Sequence, residues 1–127
     1  MKNAKVLIVD DDAAVLEVIE AVFKNAGYNP ICVTNGYEVF KKITEEIPDV
    51  ILLDICMPGI DGLMVKSWLN ADKKTSDIPV IFVTAKDTEI DTKTALKLGA
   101  HDYIVKPFDI KELLERIEKV INKKNSL

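Results

Sequence analysis

The chain has 127 residues, which is the size of a single domain that can bury a hydrophobic core. Its composition, 48% apolar and 30% charged, is ordinary for a globular protein and argues against disorder outside the termini. The net charge of −4 argues against direct nucleic-acid binding, and apolar runs of about four residues are far shorter than the ~20 residues of a membrane span. No signal-peptide core follows Met1, so we expect a cytoplasmic protein without membrane contact.

Four short runs rich in valine and isoleucine each end at a different polar residue. In chain order, the runs and the residues that follow them are Val6–Val9 with Asp10, Val50–Leu53 with Asp54, Val80–Val83 with Thr84, and Tyr103–Val105 with Lys106. Because polar residues do not alternate within them, these runs are typical of strands buried on both faces of a parallel sheet. A shorter run at 31–33 predicts one further strand.

Helices are predicted between these strands and after the last one. The predicted segments are about 13–26, 36–46, 62–71 and 88–98, with a fifth that begins after Asp109. Asp12, Asp61 and Asp87 precede three of them as N-cap residues, and Gly27 and Gly99 are suited to end the first and fourth. Regular alternation of strand and helix predicts right-handed crossovers and helices on both faces of the sheet.

The polar residues at the strand ends suggest chemistry on phosphoryl groups. The carboxyl ends of parallel strands meet at one edge, so we expect Asp10, Asp11 and Asp54 to lie close together. Three clustered carboxylates repel one another, and all-oxygen ligation favours Mg²⁺ or Mn²⁺ over zinc as the compensating ion. Lys106 can neutralise the acids or reach a phosphate, whereas Thr84 taken alone carries little information.

Four segments of the chain resemble the signature segments of response-regulator receiver domains, the phosphoacceptor modules of two-component signalling. The segments are V-L-I-V-D-D-D, V-I-L-L-D-I-C-M-P-G-I-D-G, V-I-F-V-T-A-K and Y-I-V-K-P-F. The similarity covers about 4–122, and the four segments in this order are very specific. It implies an α/β flavodoxin-like, doubly wound (βα)5 fold with strand order 2-1-3-4-5. We expect residues 1–122 to form the receiver domain and 123–127 a polar tail or the start of a linker.

The resemblance also implies how the phosphoryl group is accepted. Asp54 would be phosphorylated by a sensor histidine kinase or a phosphotransfer protein. Asp10 and Asp11 would organise Mg²⁺ together with Asp54, with Asp11 a direct ligand and the main-chain carbonyl of Cys56 another. Mn²⁺ would be able to substitute. Such a domain is a phosphoprotein that promotes only its own phosphorylation and dephosphorylation, so we do not expect a general enzyme.

Further roles follow from the same resemblance. Thr84 would bind a phosphoryl oxygen, helped by the Ala85 amide, and Lys106 would pair with the phosphoryl group and with Asp54. Thr84 and Tyr103 would form the switch that carries the signal to the surface. Two positions that vary in the family are candidates for setting the phosphoryl lifetime: Cys56 and Lys86.

The partners and the context of the domain stay open in part. A downstream effector protein or domain would contact the face of the fourth helix, fifth strand and fifth helix, and a phosphorylation-dependent dimer is left open. The chain suits either a stand-alone regulator or the receiver part of a longer regulator. The sequence names neither the kinase, the signal nor the output, and it does not decide whether the Lys106–Pro107 bond is cis.

The main alternative from another class is a small phosphatase of the haloacid dehalogenase type, which also uses an aspartate at a strand end with Mg²⁺. That class has a second acid two residues after the nucleophile, where this chain has Cys56. It also needs a cap and a longer chain. The cysteines Cys32 and Cys56 have no metal-binding spacing, and both are expected to be free thiols.

Overall fold

The computed structural model describes residues 3–85 and 89–125, and five strands and five helices alternate within these ranges. The strands are β1 (Lys5–Val9), β2 (Asn29–Val33), β3 (Val50–Leu53), β4 (Val80–Thr84) and β5 (Asp102–Val105). The helices are α1 (Ala13–Asn25), α2 (Gly36–Glu45), α3 (Gly62–Asn70), α4 (Glu89–Lys97) and α5 (Ile110–Asn125). All neighbouring strands pair in parallel in the order β2-β1-β3-β4-β5, which confirms the predicted flavodoxin-like fold.

The helix boundaries follow the capping residues that the sequence indicates. The Asp12 side chain accepts hydrogen bonds from the Ala14 and Val15 amides, and the Asp61 side chain accepts one from Met64 at 2.8 Å. These bonds satisfy amide groups that the first turn of a helix otherwise leaves without a partner. The predicted cap Asp87 lies outside the described residues.

The last helix is longer than the sequence predicts. Its apolar spacing ends at Ile121, yet α5 continues to Asn125, so the segment predicted as a polar tail begins as helix. No proline or glycine interrupts the chain there, and lysine favours helix, so the polar residues extend it. None of the helices in the described part of the chain is both long and apolar enough to cross a membrane.

The sheet separates two hydrophobic cores. On one face, α2, α3 and α4 contribute buried residues such as Val39, Val65 and Ala95 to one cluster. On the other face, α1 and α5 contribute residues such as Phe23 and Leu113 to a second cluster. Because both faces are covered, the central strands β1 and β3 and residues 80–83 of β4 are buried nearly throughout. The edge strands β2 and β5 are half-buried in part.

Gly62, the first residue of α3, lies against the backbone of Asp54. A Cβ atom built at this glycine would be 2.3 Å from the Asp54 carbonyl oxygen and 2.9 Å from the Ile55 Cα atom. The Gly62 amide also donates a hydrogen bond to the Ile55 carbonyl at 2.9 Å. Helix α3 therefore begins in direct contact with the segment that carries Asp54, and only glycine fits there.

We predict that Gly62→Ala lowers the free energy of unfolding by about 3 kcal/mol, because the added methyl group displaces backbone rather than a flexible side chain. Gly99→Ala is the matched control: Gly99 has a φ of +85° but nothing within 4 Å of the place that a methyl group would take, so its cost is strain alone, about 1 kcal/mol. Urea unfolding followed by the fluorescence of the single tryptophan measures both. Equal losses would show that crowding at Asp54 is not what requires glycine at position 62.

Candidate functional site

Two buried carboxylates lie side by side where β1 and β3 end. Val9 and Leu53 are paired across these strands, and the Asp54 amide donates to the Val9 carbonyl at 3.0 Å. The following residues, Asp10 and Asp54, are only 4% and 6% exposed. Asp11 is exposed, yet carboxylate oxygens of all three acids lie within 4.8 Å of one another, as the sequence predicts.

Backbone amides in the following loops hold one oxygen of each buried carboxylate. The Asp12 amide donates to Oδ1 of Asp10 at 2.9 Å, and the Cys56 amide donates to Oδ1 of Asp54 at 3.0 Å. In both residues the other oxygen, Oδ2, contacts the same lysine. The two side chains are therefore fixed in orientation before any ligand binds.

Lys106, the residue after β5, supplies the positive charge between these acids. Its Nζ atom lies 2.5 Å from Oδ2 of Asp10 and 3.5 Å from Oδ2 of Asp54, and 21% of its side chain is exposed. The Lys106–Pro107 peptide bond is cis, which answers the question that the sequence left open. The expected contact with Asp54 is present, but the shorter contact is with Asp10.

The electrostatics of the cluster reflect both burial and the lysine. Burial raises the pKa of Asp54 above its usual value of 3.8, and Asp10 adds to this, whereas Lys106 and the Cys56 amide oppose it. Burial alone would lower the pKa of Lys106, but its hydrogen bond and charge contacts with Asp10 and Asp54 raise that pKa above 10.5. The cluster therefore keeps a charged lysine beside a carboxylate that is costly to ionise.

The remaining predicted site residues lie on β4, on β5 and in the segments that follow β3 and β4. Thr84 is the last residue of β4 and its backbone pairs with Val105, directly before the lysine. Ala85 follows and is exposed. Tyr103 lies half-buried in β5 against the core formed with α2, α3 and α4. Cys56 is exposed two residues after Asp54.

Lys86 lies outside the described residues, so its contribution to the phosphoryl lifetime stays a prediction. The same holds for the role of Cys56, whose side chain is free and exposed beside the site. Cys32 is also a free thiol, half-buried in β2, and burial raises its pKa to about 12. Of the two described thiols, only that of Cys56 is therefore placed to react near the acids.

Sequence reasoning missed one ionic contact near the predicted output surface. Arg116 on α5 donates to Oδ1 of Asp102 at 2.6 Å and also pairs with Glu112 at 2.9 Å. The spacing of Glu112 and Arg116 is visible in the sequence as an i, i+4 pair, but nothing local indicates Asp102. This contact ties α5 to the first residue of β5.

The comparison with protein-family models agrees with this geometry. The model described as the response regulator receiver domain matches residues 6–118. The chain belongs to the response regulator receiver family. Receiver domains are signalling modules of two-component systems rather than conventional enzymes, and domains of this kind interact with histidine kinases and effectors.

Solved receiver structures are similar over nearly the whole chain. The receiver domain of the Francisella response regulator 1452 is 33% identical, with 96% of this chain and 99% of that chain covered and a TM-score of 0.88. The Vibrio cholerae chemotaxis protein CheY4 is 26% identical, with 92% and 98% covered and a TM-score of 0.87. The signal receiver domain of a histidine kinase from Syntrophus aciditrophicus is 29% identical, with 94% and 91% covered and a TM-score of 0.87.

We predict that Lys106→Met raises the pKa of Asp54 further in the absence of metal, because burial and Asp10 then act without the opposing cation. A raised carboxyl pKa means that the folded state holds the proton more tightly than the unfolded state. The contribution of Asp54 to the free energy of unfolding should therefore fall as the pH rises from 3.8 through its folded pKa, and in the variant this fall should reach higher pH.

Carboxyl carbon-13 shifts and urea unfolding between pH 3 and pH 8 measure these two effects. Lys73→Met, at an exposed lysine after α3, is the control with the same change in net charge. An Asp54 pKa that moves equally in both variants would assign the effect to net charge rather than to the contact with Lys106.

Proposed function

We propose that this receiver accepts a phosphoryl group on Asp54 from a histidine kinase or phosphotransfer protein, with Mg²⁺ bound at the acidic cluster, and then changes its surface to control a partner. The observation that carries this proposal is the pair of buried carboxylates, Asp10 and Asp54, bridged by the Lys106 ammonium. Such an arrangement costs folding stability, because buried carboxylates are expensive to ionise, and clusters of this kind are typical of functional sites.

Asp54 is suited to be the nucleophile. Its Oδ1 atom is held by the Cys56 amide, while Oδ2 has no backbone donor among the described residues and faces Lys106 at 3.5 Å. Attack of a carboxylate oxygen on phosphorus forms an acyl phosphate as the phosphorus–nitrogen bond of the donor histidine breaks, and the bonding electrons leave with the imidazole. Lys106 is placed to pair with the phosphoryl oxygens that arrive beside Asp54.

The acidic cluster fits a hard divalent cation. Its donors are oxygens, they lie within 4.8 Å of one another, and Asp11 is exposed on the open side. We propose that Asp10, Asp11, Asp54 and the main-chain carbonyl of Cys56 hold Mg²⁺, with Mn²⁺ able to substitute. When bound, the cation would balance charge on the transferring phosphoryl group.

An apolar groove beside Lys106 supports docking of the phosphoryl donor. It has a volume of about 630 Å³ and lies between α1 and the segment that follows β5. Its lining includes Val15 and Val18 from α1, and Pro107 and Phe108 after the lysine. A helical donor domain seated here would present its histidine next to the acidic cluster, since Lys106 belongs to both the groove and the cluster.

We propose that phosphorylation changes the surface formed by α4, β5 and α5, and that the downstream partner binds there. Thr84 and Tyr103 lie on adjacent strands, with Thr84 paired to Val105 and Tyr103 paired to Phe82. A hydroxyl drawn toward the phosphoryl group at the end of β4 would change the space available to the tyrosine in β5. The half-buried position of Tyr103 supports this role, because its ring has both a core side and a solvent side.

We predict that acetyl phosphate with Mg²⁺ produces one hydroxylamine-labile phosphoryl adduct, that Asp54→Asn abolishes it, and that Lys106→Met lowers its yield by at least tenfold. The reason is that an amide is not a nucleophile for this reaction and that loss of the lysine leaves the phosphoryl charge uncompensated. Intact-protein mass spectrometry measures the adduct.

Asp49→Asn, at an acid that binds the Lys5 amide away from the cluster, is the matched control and should label normally. Labelling of the Asp54→Asn variant to the same yield would overturn the assignment of the phosphoacceptor. Turnover of p-nitrophenyl phosphate by the wild-type protein would favour the alternative phosphatase instead.

We predict that Mg²⁺ at about 100 times its Kd raises the free energy of unfolding by about 2.7 kcal/mol, through its binding to the folded state. Asp11→Ala should remove most of this gain and should raise the metal-free melting temperature, because one of three clustered negative charges is gone.

Asp12, the acid next to Asp11, provides the control for the effects on the Mg²⁺ response and on the metal-free melting temperature. Asp12→Ala should lower the melting temperature through loss of the α1 cap, about 1 kcal/mol, and should leave the Mg²⁺ response intact. Thermal unfolding with EDTA and with Mg²⁺ measures all three proteins. A metal-free Asp11→Ala protein that melts below the wild type would argue against net repulsion in the cluster.

A further inference from the structure

A lysine is buried on α3, four residues after Gly62, the residue that lies against the Asp54 backbone. Lys66 is 2% exposed, and among the described residues its ammonium has one hydrogen-bond partner, Oδ1 of Asn70, at 2.8 Å. No carboxylate of the described chain pairs with it. Lysines are almost never fully buried without an ionic partner, so this one needs a physical explanation. Burial also lowers the pKa of Lys66 below its usual value of 10.5.

The partner of Lys66 passes the interaction on to another helix. The Nδ2 atom of Asn70 donates to the carbonyl oxygen of Leu98 at 2.8 Å, across 28 positions of sequence. Because the ammonium withdraws charge from the amide oxygen, the N–H groups of the same amide become stronger donors. Lys66, Asn70 and Leu98 thus form one chain of hydrogen bonds from α3 to the end of α4.

The carbonyl group of Leu98 is one of two at this helix end that have no donor from the backbone of the described residues. Helix α4 closes with a Schellman motif, in which the amide of Gly99 donates to Leu96 at 3.0 Å and the amide of Ala100 donates to Ala95 at 3.1 Å. These bonds satisfy two of the last carbonyls, whereas those of Lys97 and Leu98 have no backbone donor among the described residues. The carbonyl of Leu98 accepts from an outside donor. Asn70 supplies this donor, so the end of α4 is closed partly by α3.

This contact lies at the edge of the sheet opposite the acidic cluster. The His101 amide, three residues after Leu98, donates to the carbonyl of Val80 at the start of β4, whereas the phosphoacceptor side is at the end of that strand. Helix α4 therefore has one end that follows β4 near the site and another end that is bonded to α3. A displacement of the first end would become a rotation about the second.

We propose that Lys66 is a positioning residue: through Asn70, its hydrogen bond holds the C-terminal end of α4 against α3. This link limits how far α4 moves when Asp54 is phosphorylated. The part concerning phosphorylation rests on the function proposed above, whereas the link between α3 and α4 through Lys66 and Asn70 does not. With this link intact, structural changes on activation should be largest in the first turn of α4 and smallest at Leu98, Gly99 and Ala100. Without the link, the structural changes should extend to these three residues.

Amide hydrogen exchange tests the link between α3 and α4 without any phosphoryl mimic. The amides of Leu98, Gly99 and Ala100 all donate within the end of α4, so they report on its opening. Lys66→Met should speed their exchange by about fivefold to tenfold, the effect of losing one hydrogen bond. Global stability should be unchanged or higher, because a buried unpaired charge is replaced by an apolar side chain.

Three further variants separate the parts of the chain. Asn70→Asp keeps an acceptor for Lys66 but removes the donor to Leu98, and it should speed the same three amides. Lys66→Gln keeps an N–H donor without the charge and should retain more protection than Lys66→Met. Lys73→Met removes an exposed lysine and should leave the exchange unchanged.

The outcomes distinguish a local link at the end of α4 from a contribution of Lys66 to the stability of the whole protein. Unchanged exchange in both Lys66→Met and Asn70→Asp would overturn the proposal, and so would faster exchange throughout the protein with a matching loss of stability. Amide shift mapping with beryllofluoride then tests the regulatory part. Shifts confined to the first turn of α4 in Lys66→Met, as in the wild type, would overturn that part. A wild type that forms no adduct at Asp54 would overturn the proposed function instead, and the exchange result would still stand.

Discussion

The contact of one ammonium group with two buried carboxylates is the interaction on which the rest of the site depends. Asp10 and Asp54 end neighbouring strands, so the parallel sheet forces their carboxylates together in a poorly hydrated place. Lys106 reaches them from the end of β5 and offsets part of the repulsion. Because the lysine is closer to Asp10, the Oδ2 atom of Asp54 has only a longer contact and is the more available of the two oxygens that face the lysine.

The backbone around Asp54 is rigid, and this rigidity keeps the Asp54 carboxylate in place beside Lys106. The Asp54 amide is bonded to β1, its Oδ1 atom is bonded to the next loop, and its carbonyl oxygen lies against the start of α3. Each contact comes from a different element. The carboxylate therefore has little freedom to turn away from an incoming phosphorus atom, and its orientation is set by the fold rather than by the ligand.

Much of the fold and of the acidic cluster could be predicted from the sequence, because the signals are local. Uninterrupted apolar runs predict buried strands, and the residue that follows each run is carried to the common edge of the sheet. The contact of Arg116 with Asp102 could not be predicted, since the two residues meet only once α5 has packed beside β5. The shorter contact of Lys106 with Asp10 depends in the same way on side-chain geometry.

The buried lysine is a different case, since a signal was present. Gly62, Val65, Lys66 and Leu69 are buried at the spacing of one helical face, so periodicity alone places position 66 on the inside. Composition argues the opposite, because lysine usually lies on the surface. The conflict is resolved by Asn70 and by the carbonyl of Leu98, a tertiary partner that no local pattern indicates.

The division of the interior into two cores limits where movement can begin. Successive residues of β4 belong to opposite clusters: Val80 and Phe82 pack on the side of α2, α3 and α4, whereas Ile81 and Val83 pack on the side of α1 and α5. A shift of this strand would disturb both cores at once, and close packing resists that. Over residues 80–83 the strand is held by both cores, so a change that affects one surface and spares the other has to start outside this stretch.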